Sequence, residues 1–248
     1  MPSGKIDIIN IIIPVYNEGE NISIIFDEIN LKVKTPCCIY IIYDFDEDNT
    51  LPAVKNYMEK FPGCIRLEKN RFGTGVLNAI KTGFEVAPHG VILVVMADLS
   101  DDLAKVDRMY DLINEGYDIV CGSRYMKGGK QIGGPVLKKF LSSMAGLTLH
   151  TLINIPVHDI TNSFKMYRKE VLDDIKVEST GGFELGMEIV IKAFFKGYKI
   201  TEVPSVWRDR TAGKSKFKLF KWLPKYIYWY WYAIKTRAKT FRTISGIL

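Results

Sequence analysis

Four short apolar runs, each stopping at a cluster of carboxylates, glycines or a cation, constrain this chain more than any other feature. Residues 8–15, 37–43, 90–96 (GVILVVM) and 117–121 (YDIVC) are rich in Ile and Val and lack polar alternation. Such runs fit strands buried on both faces, the condition of a parallel sheet. Segments 18–33, 50–61, 73–87 and 102–115 have helical length and apolar spacing. The βαβα order predicts an α/β fold with a mostly parallel sheet flanked by helices and right-handed crossovers.

In open parallel sheets, ligands bind beyond the carboxyl ends of the strands. The four runs end in PVYNEGEN, YDFDEDNT, MADLSDD and CGSRYMKGG. One Asp after one strand is commonly only a helix N-cap. Four polar ends along one sheet edge predict a binding site.

Missing motifs narrow the chemistry. No GxGxxG follows the first run and no GxxxxGK[ST] occurs, which disfavours dinucleotide and P-loop sites. The histidines (His89, His150, His158) form no Ser-His-Asp pattern, and each reads as structural. Carboxylates remain for a divalent cation, and cations for phosphates. Mg²⁺ or Mn²⁺ takes oxygen ligands and bridges carboxylates to substrate phosphates. That chemistry suits a nucleoside diphosphate leaving group.

Charge divides the chain. Residues 210–248 hold ten of the 34 Lys/Arg and none of the 28 Asp/Glu, so the preceding 209 residues carry 24 basic against 28 acidic side chains. The expected organisation is a catalytic domain over 1–210 and a basic tail over 211–248. Nine aromatics lie among the lysines of 217–232. Trp and Tyr favour the membrane–water interface, and Lys stems reach headgroups. No uninterrupted apolar span of about 20 residues exists, so an interfacial segment is expected rather than a membrane-crossing one. A helix packed on the body and an oligomer contact are the alternatives; nucleic-acid binding is disfavoured, because it would leave the polar sheet edge without a purpose. The cysteines (Cys37, Cys38, Cys64, Cys121) lack CxxC spacing and read as free thiols of a reducing compartment. MPSGKIDIIN lacks the features of a secretory signal, which places the chain in the cytoplasm.

The segments IIIPVYNEGENI, YDFDEDNT, FGTGVLNAIKTGF, MADLSDD, GSRYMKGG, HDITNSFKMYRKEV and EVPSVWRDRTAGKSK follow the order and spacing of the family 2 glycosyltransferases. Across residues 6–217 the chain resembles their dolichol-phosphate mannose synthase branch, the polyprenyl-phosphate glycosyltransferases. The resemblance implies the GT-A nucleotide-sugar fold. It also implies inverting transfer of mannose or glucose from GDP-mannose or UDP-glucose to a lipid phosphate (polyprenyl or dolichyl) at the cytoplasmic face of a membrane, with Mg²⁺ or Mn²⁺ as cofactor. Pro14, Tyr16 and Glu18 match the segment that holds the nucleoside, and Asp44 matches the base reader. Asp98 matches the second Asp of the DxD metal motif, and Ser100 a further metal-side position. Arg124, Lys138 and Ser142 match positions that grip the acceptor phosphate, while Arg210 and Lys216 match positions that grip the donor. Asp98, Arg124 and Arg210 are thereby the candidate catalytic residues.

Two departures stand out. The family's DDGS reads Tyr43-Asp44-Phe45-Asp46, and the first Asp of DxD is Met96, whose soft thioether suits Mg²⁺ poorly. Asp101 or Asp102 is then a further candidate for the cation. Asp159 has two open roles, approaching the sugar or acceptor and capping a turn; Glu188 matches a family carboxylate that shapes the sugar pocket. Gly73, Gly75 and Gly83 fit a helix start packed closely on the sheet better than a phosphate cradle. A phosphate acceptor, with a second pKa of about 6, needs no general base at neutral pH. Elongation of a glycan would need one, and no ED pair follows Asp159 to serve.

Overall fold

The computed structural model describes residues 8–60, 63–209 and 219–245. Strands β1 (Ile9–Pro14), β2 (Cys37–Tyr43), β3 (Ile65–Lys69), β4 (Val91–Val94) and β5 (Ile119–Ser123) are followed by the short β6 (Lys130–Ile132). Then come β7 (Lys165–Arg168), β8 (Ile200–Pro204) and β9 (Val206–Arg208). Seven of them form one sheet in the order β3-β2-β1-β4-β7-β5-β8, and β6 pairs with β9 apart from it. Every pairing in the large sheet is parallel except those of β7, which runs antiparallel between β4 and β5.

Burial explains the apolar runs. All six residues of β1 are buried, with Ile9, Ile11 and Ile13 in one core layer and Ile12 in the other. The first layer is closed by α1 (Ile22–Lys32), α2 (Thr50–Lys60) and α4 (Val106–Asn114). The second is closed by α3 (Val76–Val86), α5 (Val136–Ile153) and α7 (Leu185–Lys196), with α6 (Lys169–Asp174) beside β7. Gly83 of α3 rests on Ile12, where an added Cβ would fall 2.3 Å from its Cγ2. Helix and strand thus approach more closely than any side chain would allow.

The final helix, α8 (Leu219–Ser245), lies against α5 and α7. Trp229 and Ala233 are buried in the second core layer, and the Trp229 indole N–H donates to Ser179 Oγ at 3.1 Å. Burial of a Trp with its N–H satisfied contributes a few kcal/mol, about 2–3, to such docking.

One expectation is corrected here. Cys38 and Cys64 form a disulfide with Cα atoms 4.6 Å apart, leaving Cys37 and Cys121 as the free thiols. The register is the reason: Ile39 lies opposite Ile65 across β2 and β3, so the residues before them face each other.

Candidate functional site

The carboxyl ends of β1, β2, β4 and β5 open into one cavity of about 620 Å³. Pro14, Tyr16, Glu18, Asp44, Asp98, Ser100, Arg124, Lys138 and Ser142 all line it. Arg210 and Lys216 lie outside the described residues.

The β1 end turns sharply at Asn17, whose φ of 56° is left-handed. The turn is held because Asp48, almost fully buried, accepts the Asn17 N–H at 3.0 Å, and Thr50 Oγ1 accepts that of Glu18 at 2.9 Å. Tyr16 is thereby turned outward, half exposed, with its ring edge against Phe45 at 5.5 Å. Glu18 accepts a hydrogen bond from Asn21. Asp44 accepts from Asn70 Nδ2 at 2.8 Å and from the Gly75 N–H at 2.9 Å, which fixes the start of α3 beside the cavity. Gly75, at φ 109°, is the N-cap of α3, in a conformation that side chains disfavour.

Beyond β4, Leu99 has φ 61°, an uncommon value for a branched apolar residue. The turn around it sets Asp98 and Ser100 on the cavity, and Asp98 Oδ1 accepts the Ser100 N–H at 3.2 Å. Asp101 and Asp102 do not line the cavity. Asp101 accepts the Met96 N–H at 2.9 Å and Asp102 accepts that of Val206 at 3.1 Å, so both carboxylates tie the loop to its neighbours. Burial pushes the Asp101 carboxyl up to about 7.

Among the described residues no group of three or more His, Cys, Asp or Glu could hold a metal ion. At the cavity the protein offers one DxD carboxylate, a serine and the Met96 thioether. A hard cation needs more oxygens than these; a diphosphate and water supply them, which is the usual mode for Mg²⁺. The residues therefore fit a cation held jointly with a bound diphosphate.

At the β5 end, Arg124 meets a residue for which the sequence left two roles open. Asp159 is fully buried and accepts from Arg124 Nε at 2.6 Å, Nη2 at 2.9 Å and the Arg124 main-chain N–H at 3.0 Å. Thr161 takes a second Nη2 hydrogen at 3.1 Å. Burial opposes both charges, but their mutual attraction wins: Arg124 is held above its ordinary value and Asp159 below. Asp159 also accepts the Asn162 N–H at 3.2 Å. It both caps the turn and orients the arginine, while Arg124, Thr161 and Asn162 face the cavity. Beneath the turn, fully buried Lys165 donates to the Ile160 and Asn162 carbonyls, and burial lowers its pKa.

One wall of the cavity belongs to α5. Lys138 and Ser142 lie along the cavity with Leu141 and Ala145. The Ser142 hydroxyl bonds to Tyr125 and donates to the Lys139 carbonyl at 3.1 Å. Glu188 is elsewhere: fully buried, it accepts the Glu178 and Ser179 N–H groups and pairs with Lys192, and it does not line the cavity. Its carboxylate ties down the loop before α7 instead of facing the cavity, where the expected part in a sugar pocket would place it.

Trp207 and Asp209 also line the cavity, with Tyr226 and Tyr230 of the aromatic segment that the sequence assigns to a membrane interface. β9 is bound to the Asp98 loop through Arg208 N–H to the Ser100 carbonyl, at 3.1 Å. That cross-link joins residues 108 positions apart, which no local pattern signals.

A parallel-dominated sheet interrupted by one antiparallel strand, with carboxylates and cations gathered in a cavity at its strand ends, is consistent with the nucleotide-sugar transferase class of fold, GT-A. Solved structures agree in fold: Mycobacterium tuberculosis glucosyl-3-phosphoglycerate synthase with Mn²⁺, uridine diphosphate and glucosyl-3-phosphoglycerate superposes at TM-score 0.66, with 13% identity, over 93% of this chain and 80% of the other. S. aureus TarS 1-349 superposes at 0.59, with 17% identity, over 81% of this chain and 60% of that one. The Glycosyl transferase family 2 model matches residues 10–176, and the chain belongs to that family. It is 32% identical over 229 residues to a dolichol-phosphate mannosyltransferase of Pyrococcus furiosus, 89% of this chain but only 62% of that protein's length. It is 27% identical over 211 residues to a polyprenol monophosphomannose synthase of Mycolicibacterium smegmatis, 83% of this chain and 79% of that protein.

Proposed function

We propose that this chain is an inverting glycosyltransferase that moves a sugar from a nucleoside diphosphate donor to a polyprenyl or dolichyl phosphate at a membrane surface. One observation carries the reading. A single cavity joins the strand-end carboxylates, the cations Arg124 and Lys138, and an apolar wall from α5 and α8 that includes Leu141, Ala145, Ile227 and Tyr230. Diphosphate, second anion and hydrocarbon each have a matching wall. The names of the curated relatives point to the same acceptor class, and GDP-mannose and UDP-glucose are the donors to test first.

Nucleoside binding falls to Pro14, Tyr16, Glu18 and Asp44, with Tyr16 offering a ring face to the base. Asp98 and Ser100 would hold a Mg²⁺ or Mn²⁺ shared with the donor diphosphate, which when bound supplies charge neutralisation for the leaving group. Arg124 presents its guanidinium, and Lys138 a point charge, to phosphate oxygens; Ser142, Arg210 and Lys216 complete the grip. An acceptor phosphate oxygen attacks the anomeric carbon, the bond from that carbon to the diphosphate breaks, and the electron pair leaves with the diphosphate. No proton changes hands, because the attacking phosphate is already largely dianionic at neutral pH. Positioned cations lower the barrier by preorganisation. Transfer to a glycan hydroxyl would instead need a free carboxylate base, and Asp159 is committed to Arg124.

Membrane contact is read from a face, since no helix of the described residues is long and apolar enough to cross a bilayer. Val136, Leu137, Phe140, Leu147 and Leu152 of α5 are exposed, with Ile227, Tyr228 and Trp231 of α8. Exposed apolar surface of this extent marks an interaction site. The basic residues of the tail suit the anionic cytoplasmic leaflet, which is the side we assign, and the contact is peripheral.

The test screens nucleotide sugars for thermal stabilisation with and without Mn²⁺, then offers the best donor and a short polyprenyl phosphate to the protein. A lipid-linked sugar of inverted anomeric configuration is expected. Stabilisation by no nucleotide sugar, or transfer with retention, would overturn the reading.

A further inference from the structure

Behind Arg124 lies a second clamp that the transfer itself does not use. Glu202, in β8, grips His158 twice: Oε2 accepts its main-chain N–H at 2.8 Å, and Oε1 pairs with ring Nδ1 at 2.5 Å. The Glu202 side chain is 7% exposed, so water competes little for it. His158 immediately precedes Asp159, the partner of Arg124. On its other side the His158 carbonyl oxygen lies against Gly146 of α5, where an added Cβ would fall 1.9 Å away. The His158 ring stacks on His150 of α5 with centroids 4.0 Å apart, and His150 Nδ1 meets the Ile155 carbonyl at 2.8 Å. None of Glu202, His158 and His150 lines the cavity.

We infer that Glu202 and His158 are positioning residues, fixing Arg124 through Asp159 and, through Gly146 and His150, the turns of α5 that carry Lys138 and Ser142. His158 touches both structures that present cations to the phosphates, being bonded along the chain to Asp159 and packed on Gly146 and His150 of α5. A carboxylate bonded to both main chain and ring leaves that residue neither translation nor rotation. Placement of that kind matters because a shift of about 1 Å at reacting groups costs on the order of a hundredfold in rate. The inference rests on the proposed use of the cavity, whereas the clamp itself is independent of it.

The experiment compares Glu202→Ala, Glu202→Gln and His158→Ala with the unaltered full chain. Steady-state transfer to a short polyprenyl phosphate gives kcat and KM, and ¹⁵N NMR follows exchange of the Arg124 Nε–H, assigned by its loss in Arg124→Lys. For Glu202→Ala, kcat is expected to fall about ten- to a hundredfold with both KM values within about threefold, and the Arg124 Nε–H to exchange faster. Glu202→Gln, which still accepts the main-chain N–H, should recover much of the loss. Should Glu202→Ala fail to fold, His158→Ala, whose side chain is 36% exposed, carries the test with the same signature at smaller size. Unchanged kcat together with an unchanged Arg124 signal overturns the inference, as does a loss confined to KM. If the unaltered protein transfers no sugar, the functional reading fails, and the Arg124 exchange rates alone decide the clamp.

Discussion

The Arg124 guanidinium and the Asp159 carboxylate meet in two parallel bonds, Nε to Oδ2 at 2.6 Å and Nη2 to Oδ1 at 2.9 Å, with side chains 7% and 0% exposed. Thr161 takes the remaining Nη2 hydrogen, so the Nε and Nη2 hydrogens are all held by this turn while the residue lines the cavity. The arginine is therefore a directional donor more than a loose positive charge. Its geometry is set before any ligand arrives.

Breaking this pair from the acid side leaves a buried, uncompensated arginine. Asp159→Ala is expected to lower the unfolding free energy by about 3–5 kcal/mol, read from urea denaturation. A loss below about 1 kcal/mol would mean that water reaches Arg124 freely, contrary to its burial.

Asp98 is the DxD carboxylate facing the cavity. Asp98→Asn keeps the acceptor for the Ser100 N–H but removes the charge. Thermal stabilisation by uridine or guanosine diphosphate should then lose its Mn²⁺-dependent part, a weakening of at least about tenfold, or 1.4 kcal/mol. An unaltered Mn²⁺ response would show that the cation sits elsewhere.

Asp101 titrates near pH 7 in the folded chain, against an ordinary value of 3.8, because burial disfavours its charge. Between those values the folded state keeps a proton that the unfolded chain releases. Stability must therefore fall as pH rises through this window, by at most about 1.4 kcal/mol per pH unit, with the full penalty present above it and none below. Asp101→Asn, measured in chelator, should flatten that slope and be relatively more stable at alkaline pH. Parallel curves for the two proteins would contradict the assignment.

The Cys38–Cys64 disulfide closes a loop spanning 26 positions that contains α2 and the Asp44 and Asp48 turns. Restricting a loop of that size in the unfolded chain is worth about 3 kcal/mol. Cys64→Ser should lower the unfolding free energy by that order, with reductant having no further effect on the variant.

Membrane contact is tested on α5. Leu137→Ser with Phe140→Ser alters two exposed side chains, so folding should be unaffected. Sedimentation with vesicles containing phosphatidylserine is expected to fall several-fold, each buried CH₂ contributing about 0.8 kcal/mol, while nucleotide binding persists. Equal sedimentation would move the contact off this helix.

The first half of the sheet was legible because its strands are buried on both faces and advertise it as unbroken apolar runs. β3 gives no such signal, because it is an edge strand, IRLEK, with only Ile65 buried. β7 was hidden by Lys165, a lysine in the middle of the sheet whose charge is answered by carbonyls of its own turn. The mostly parallel sheet and the polar strand ends follow from local pattern. The reversal of β7 does not, because it is set by the insertion of that strand between β4 and β5, which lie far from it in sequence.

Sequence alone determined the αβ alternation, the strand-end carboxylates and Arg124 as members of one rim, and the family, since periodicity and motif spacing are properties of neighbouring residues. Tertiary structure decided what those groups do to one another: that Asp159 orients Arg124, that Asp101 and Asp102 tie the loop while Asp98 faces the cavity, that Cys38 finds Cys64, and that α8 docks on α5. Each is a contact between residues distant along the chain or a choice of side-chain direction. Such choices are settled only when a complete core fixes which donors and acceptors water can no longer reach.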